Sequence, residues 1–220
     1  MIAEEIKKLH AQLPEGVELV AVSKFHPVEA IKEAYDAGQR TFGESRVQEL
    51  LAKETQLPDD IRWHFIGHLQ SNKVRHLIGK TSMIESVDTE KLLRLIDEES
   101  LKAGVVSRVL MQLHVAKEET KFGFSPIELF EFFRDRRFES LKATHICGVM
   151  GMASNTDDID RVRADFRLIH DVWDTIRANT DGLSGFDTIS MGMSGDWRIA
   201  VDEGSNLVRI GTTIFGQRQY

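Results

Sequence analysis

Apolar and β-branched residues recur in eight short runs, at 18–23, 41–43, 63–67, 83–87, 106–115, 143–150, 188–191 and 207–210, and each reads as a strand. Between most of these runs the apolar positions fall three and four residues apart. That spacing predicts helices over 27–37, 47–57, 72–78, 89–102, 126–136 and 158–179, and a short one near 197–202. Pro27 and Pro126 open two of the helices, where a missing N–H costs nothing, and Gly38 and Gly104 follow two others, where a left-handed residue ends a helix. Residues 1–13 set Ile2, Ile6, Leu9 and Leu13 against Glu4, Glu5, Lys7 and Lys8, which is an amphipathic helix rather than a signal peptide.

Strands alternating with helices imply a parallel sheet with helical crossovers. An open doubly wound sheet would have about five or six strands and a glycine-rich loop after the first. Here that loop reads Ser23-Lys24-Phe25-His26-Pro27, without glycine. Eight strands instead predict a closed (β/α)₈ TIM-type barrel with an extra N-terminal helix, near the lower limit of about 200 residues for such barrels. No linker, low-complexity segment or repeat divides the chain, so residues 1–220 are expected to form a single domain.

Composition narrows the partners. The 220 residues are 41% hydrophobic and 29% charged, close to the average for a globular domain, which argues against disorder, collagen and coiled coil. Thirty-five acidic against 28 basic residues give a net charge of −7, so neither nucleic acid nor an anionic membrane surface is an expected partner. A single cysteine, Cys147, permits neither an intrachain disulfide nor a multi-cysteine zinc site and suits a reducing compartment, so a cytoplasmic protein is expected.

A barrel of this kind places its active site at the C-terminal ends of its strands. Lys24 follows the first strand there, where partial desolvation would leave a neutral amine able to form a Schiff base with a carbonyl. The loops after strands seven and eight, Gly192-Met193-Ser194-Gly195 and Gly211-Thr212-Thr213, offer backbone N–H groups and hydroxyls suited to a phosphate, though ordinary tight turns would look the same. Together they suggest a phosphorylated aldehyde, either a sugar phosphate or pyridoxal phosphate. His64 and His68 are placed at the barrel mouth as hydrogen-bonded residues rather than metal ligands, and Asp157 and Asp158 as helix N-terminal charge.

The segments Ala21-Val22-Ser23-Lys24, Phe42-Gly43-Glu44, Val47-Gln48-Glu49, His64-Phe65-Ile66-Gly67-His68-Leu69-Gln70-Ser71-Asn72-Lys73, Met191-Gly192-Met193-Ser194 and Val208-Arg209-Ile210-Gly211-Thr212 resemble, in order, the pyridoxal phosphate homeostasis protein family. The resemblance spans about residues 17 to 216. It implies a barrel similar to the N-terminal domain of alanine racemase, with pyridoxal 5′-phosphate (PLP) held as a Schiff base on Lys24. Ser194, Gly211 and Thr212 would hold its phosphate, and Arg209 would face the pyridine nitrogen and discourage its protonation. Met150 and Met193 join the cofactor-binding set, although a methionine on a buried strand is commonly core. Ser45 stands where the family usually has asparagine after Phe-Gly-Glu, which replaces an amide by a shorter hydroxyl. Lys121 matches a family lysine near the mouth.

The implied function is intracellular PLP (vitamin B6) homeostasis by a monomer that binds the cofactor and passes it to apo-enzymes. A PLP-dependent amino-acid racemase is the alternative. Such racemases carry a further β-rich domain that supplies a tyrosine base, and the sequence after Ile214 is too short for one, so turnover is not expected. A Schiff-base aldolase acting on a phosphosugar, which barrel and lysine alone would permit, is disfavoured by the six family motifs.

Overall fold

A computed structural model describes residues 1–115 and 122–217. Its eight strands are β1 (Glu18–Val22), β2 (Thr41–Glu44), β3 (Arg62–Phe65), β4 (Met83–Val87), β5 (Ser107–Leu113), β6 (Thr144–Gly151), β7 (Thr188–Ser190) and β8 (Leu207–Ile210). They pair in sequence order, all parallel, and β8 returns to β1 to close the barrel. The predicted TIM-type architecture is therefore borne out.

The helices among the described residues are α1 (Ile2–Gln12), α2 (Val28–Asp36), α3 (Val47–Glu54), α4 (Val74–Leu77), α5 (Glu90–Ala103), α6 (Pro126–Arg134), α7 (Ile159–Asn179), α8 (Trp197–Asp202) and α9 (Thr212–Phe215). Their ends follow local chemistry. Ser125 and Glu128 form a reciprocal capping box at α6 with Pro126 in its first turn. Asp158, predicted inside the helix, instead caps α7 by accepting from the N–H groups of Asp160 and Arg161. Gly104 ends α5 in the left-handed conformation, φ 68°. Two 3₁₀ turns, Ser71–Lys73 and Arg137–Ser140, and the four-residue α9 were not predicted.

Strand alternation separates two apolar layers. The larger lies between sheet and helices, with Phe42, Trp63, Phe65, Ile84, Val109, Val149 and Val208 facing the helical ring. Inside the barrel a small separate cluster of Met83, Leu110, Cys147 and Met150 fills only part of the lumen. Much of the remaining interior is polar, as described below. Gly148 is required where β6 crosses β7, since a Cβ there would lie 1.8 Å from the Thr188 carbonyl oxygen.

Candidate functional site

The C-terminal end of β1 is held from outside the barrel. The Ser23 hydroxyl donates to Glu44 Oε1 at 2.6 Å, and Lys53 of α3 donates to the same oxygen at 2.7 Å, to the Ser23 carbonyl at 2.9 Å and to Glu49 at 2.6 Å. Ser23 and Glu44 are wholly buried. With Ser23 turned outward, alternation puts the half-buried Lys24 on the mouth side. The chain then turns sharply: Phe25 adopts φ 68°, a conformation costing about 1–3 kcal/mol in a non-glycine residue. It is kept there by its N–H bond to Glu49, 2.6 Å, and by Arg46 over its ring at 4.8 Å.

β8 brings the second part of the site alongside. The register Ala21↔Ile210 sets Gly211 level with Val22, and a Cβ on Gly211 would lie 3.2 Å from the Val22 Cβ and carbonyl oxygen, a tight contact that would press on β1. His26 stacks on Phe215 of α9 with ring centroids 4.9 Å apart, which ties the Lys24 turn to the loop after β8. Across from it, the Ser194 hydroxyl receives long bonds from the Gly211 and Thr213 N–H groups, 3.3 and 3.4 Å. Thr212, exposed, begins α9 between them. The Ser194 loop is shaped by Gly192, at φ 96° with Ala200 packed where a Cβ would go, and by Asp196, which accepts from the Met193 N–H at 2.6 Å. Burial pushes the Asp196 carboxyl up.

The lumen below this end is polar, and part of it is absent from the sequence-based expectations. Arg209 of β8 is buried and donates to Ser190 of β7 and to the Gly151 carbonyl of β6 at 3.0 Å. Glu85 of β4, wholly buried, accepts from the Ser190 hydroxyl at 2.5 Å and from His64 Nδ1 of β3 at 2.6 Å, and lies 3.7 Å from the Arg209 guanidinium. Because β4 and β7 are not neighbours, the Glu85–Ser190 bond crosses the barrel interior. Burial drives the Glu85 carboxyl upward, but the His64 bond, the Arg209 charge and the Ser190 hydroxyl outweigh it and hold the group below the usual carboxylate range. Burial likewise pulls Arg209 below its ordinary value against the charges of Glu85 and Asp196, though a guanidinium stays protonated at physiological pH.

Of the predicted site residues, Lys24, Gly211, Thr212 and Ser194 come together at the mouth, with Arg209 beneath them. Met150 joins the lumen apolar cluster and pairs in register with Ser190. Met193 is 40% exposed, on a cleft of about 520 Å³ that it shares with Met152, Ser154, Thr156 and Asp196. Ser45, half-buried just after β2, abuts Gly67, where a Cβ would lie 2.3 Å from its carbonyl oxygen.

His64 corrects the sequence reading. It points into the lumen and lines a cleft at the N-terminal end with Glu18, Arg62 and Arg108, because β3 runs on past it through Phe65. His68 does stand at the C-terminal end, bonded through Nδ1 to Asp88 at 2.8 Å and stacked on Phe122 at 3.9 Å. Lys121 lies outside the described residues. Glu85 was legible in principle, since a carboxylate in the apolar run 83–87 must find partners when buried.

A donor-lined loop pair and a lysine at the first strand end thus share one end of the barrel, with a buried cation below them. The family profile "Alanine racemase, N-terminal domain" matches residues 1–219. The pyridoxal phosphate homeostasis protein of Aquifex aeolicus is 37% identical over the whole of this chain and 96% of its own length. PipY of Synechococcus elongatus, solved with PLP bound, superposes with a TM-score of 0.89 at 37% identity, over 98% of this chain and 100% of that one. Alanine racemase of E. faecalis shares the fold, with a TM-score of 0.74 at 22% identity over 98% of this chain and 57% of that one. Near full-length likeness at this identity places the chain in the pyridoxal phosphate homeostasis protein family.

Proposed function

We propose that this protein binds PLP at the C-terminal mouth of its barrel, holds it through Lys24, and serves intracellular PLP homeostasis. The observation that carries the reading is the PLP-bound PipY structure, matched over 98% of this chain, together with this chain's own donor cradle at the C-terminal end of its barrel. The residues fit the cofactor. The Ser194 hydroxyl and the Gly211 and Thr213 N–H groups gather donors with only long bonds among themselves, which phosphate oxygens would shorten and replace. Thr212 adds a hydroxyl at the same turn. Lys24 stands beside this cradle on the adjacent strand, and Arg209 offers a fixed cation below.

When bound, the cofactor supplies an aldehyde that condenses with amines and, left free in the cell, would react with many of them. The protein's part is capture and orientation. The Glu44–Lys53 clamp fixes Ser23 and thereby the direction of Lys24, while the strained turn at Phe25 leads the chain back to α2. Arg209, a permanent donor, would face the ring nitrogen and leave it unprotonated, which suits storage better than turnover. Tyr35 is on the outer face of α2, bonded to Asp60 at 2.7 Å, away from the mouth. We therefore assign a binding role without catalysis, in the cytoplasm, by a monomer that releases PLP to apo-enzymes. No helix among the described residues is long and apolar enough to cross a membrane.

The test is borohydride reduction of the PLP-loaded protein followed by peptide mapping. The cofactor mass is expected on Lys24 and absent from Lys24→Ala, whose fold should persist. Label found chiefly on Lys73 or Lys121 would refute the assignment. Deuterium incorporation at the α-carbon of added amino acids should stay near the rate of free PLP, and rapid Lys24-dependent incorporation would restore the racemase reading.

A further inference from the structure

An arginine that acts by facing one atom must be aimed, and a long side chain with several rotatable bonds is not aimed by burial alone. The contacts of Arg209 come from three other strands: Ser190 on β7, the Gly151 carbonyl on β6 and the Glu85 carboxylate on β4. The order of donors along this chain has one solution. Arg209 has no acceptor and ionised Glu85 has no donor, so Ser190 must accept from the first and give its only proton to the second. Glu85 in turn fixes His64, whose Nδ1 must carry the proton it donates, and His64 braces the carboxylate from β3 at 2.6 Å. Every lone pair and proton of the Ser190 hydroxyl that faces these groups is thus committed by charge.

We propose that Glu85 is a positioning residue that aims Arg209, through the Ser190 hydroxyl, at the ring-nitrogen end of the PLP site. The inference rests on the reading above in which Arg209 faces that nitrogen. A carboxylate buried only to neutralise Arg209 would not need the intervening hydroxyl, because the two charges already lie 3.7 Å apart. The relay adds direction: with two of its five N–H donors tied to Ser190 and Gly151, the guanidinium cannot rotate, and its remaining donors keep one heading. The other charged group that Arg209 feels is Asp196, on the loop between β7 and α8. Asp196 bonds the Met193 N–H instead.

The test uses full-length protein loaded with PLP labelled with ¹⁵N in the ring, and reads the ring-nitrogen chemical shift between pH 6 and 9. Wild type is expected to show an unprotonated nitrogen throughout. Ser190→Ala keeps both charges and removes the relay, so its ring nitrogen should take up a proton within that range, and PLP should bind about tenfold more weakly, the loss of one charge-assisted hydrogen bond. Ser190→Thr, which restores the hydroxyl, should return both properties to wild type. Glu85→Gln should behave like Ser190→Ala. Should Glu85→Gln fail to fold, the Ser190 pair decides alone.

Arg209→Gln separates the two inferences. If Arg209→Gln protonates the nitrogen while Ser190→Ala and Glu85→Gln keep the wild-type shift, positioning by Glu85 is overturned and the Arg209 reading stands. If Arg209→Gln itself leaves the shift unchanged, Arg209 does not face the nitrogen, and the positioning role falls with it.

Discussion

Two buried glutamates, Glu44 and Glu85, show how neighbours decide the direction in which a buried carboxyl is shifted. Glu44 is pushed upward by burial, which the Lys53 and Ser23 contacts only partly oppose, and its Oε2 atom has no partner among the described residues. Glu85 is held down because both of its oxygens are engaged and Arg209 adds its charge. Stability contributed by ionised Glu85 is present above the ordinary glutamate value of about 4.3 and is lost as pH falls through the folded value. Glu44 contributes in the opposite sense, stabilising below that value and losing its contribution as pH rises through its raised folded value. Melting temperatures should therefore diverge between two variants. The deficit of Glu85→Gln relative to wild type shrinks on acidification below about pH 4, whereas Glu44→Gln gains on wild type as pH rises above that point. A deficit in Glu85→Gln that stayed constant into the acid range would contradict the first sign. At the cradle, Ser194→Ala with Thr212→Val should cost about 1.5–3 kcal/mol per lost bond to phosphate. Competition between PLP and pyridoxal reads this directly, since a preference for the phosphorylated form equal to that of wild type would put the phosphate elsewhere.

At the level of elements, the strands were legible because their apolar runs are short, β-branched and regularly interrupted. Their ends were less so. The fifth run, read as 106–115, forms β5 over Ser107–Leu113, because Val106 is 68% exposed and its hydrophobicity marks the entrance to the strand rather than its interior. The four residues of α9 have too few turns to show a period, so the helix beside Ser194 was invisible as a helix although the chemistry of Gly211 and Thr212 had singled them out as candidates. The sequence motifs led to the mouth residues for the same reason. The lumen residue Ser190 carries no such mark, and Glu85 was hidden inside an apolar run. Contacts between loops yield a prediction. Gly67→Ala would press a methyl into the Ser45 backbone, which has no flexible end to yield, so the loop after β2 must shift. A loss of about 1–3 kcal/mol is expected, read by denaturant midpoint, together with weaker PLP binding. Wild-type affinity in a destabilised Gly67→Ala would separate this contact from the site.

For the whole molecule, the closed sheet isolates what lies inside it. Cys147 is wholly buried in the lumen, and burial pushes its thiol up while Arg108 donates to its sulfur at 3.3 Å. A thiol both shielded and protonated is unreactive, so an alkylating reagent should label native protein only at the rate at which the barrel opens globally. Labelling measured against urea should follow the unfolding curve, and rapid labelling in native buffer would mean that the lumen opens locally. The bond from Glu85 to Ser190 has a further mechanical meaning. A ring of strands joined only to their neighbours can flatten from a round cross-section to an ellipse through small changes in twist, without breaking a single pair. A strut from β4 to β7 forbids that deformation along its own diameter, and the Arg209–Gly151 bond spans a second, shorter chord from β8 to β6. Neither ends on β1 or β2. The girth of the barrel is thus fixed across β4, β6, β7 and β8, and any widening that admits a cofactor falls to the arc of β1 and β2, where Lys24 stands beside the Arg209 strand.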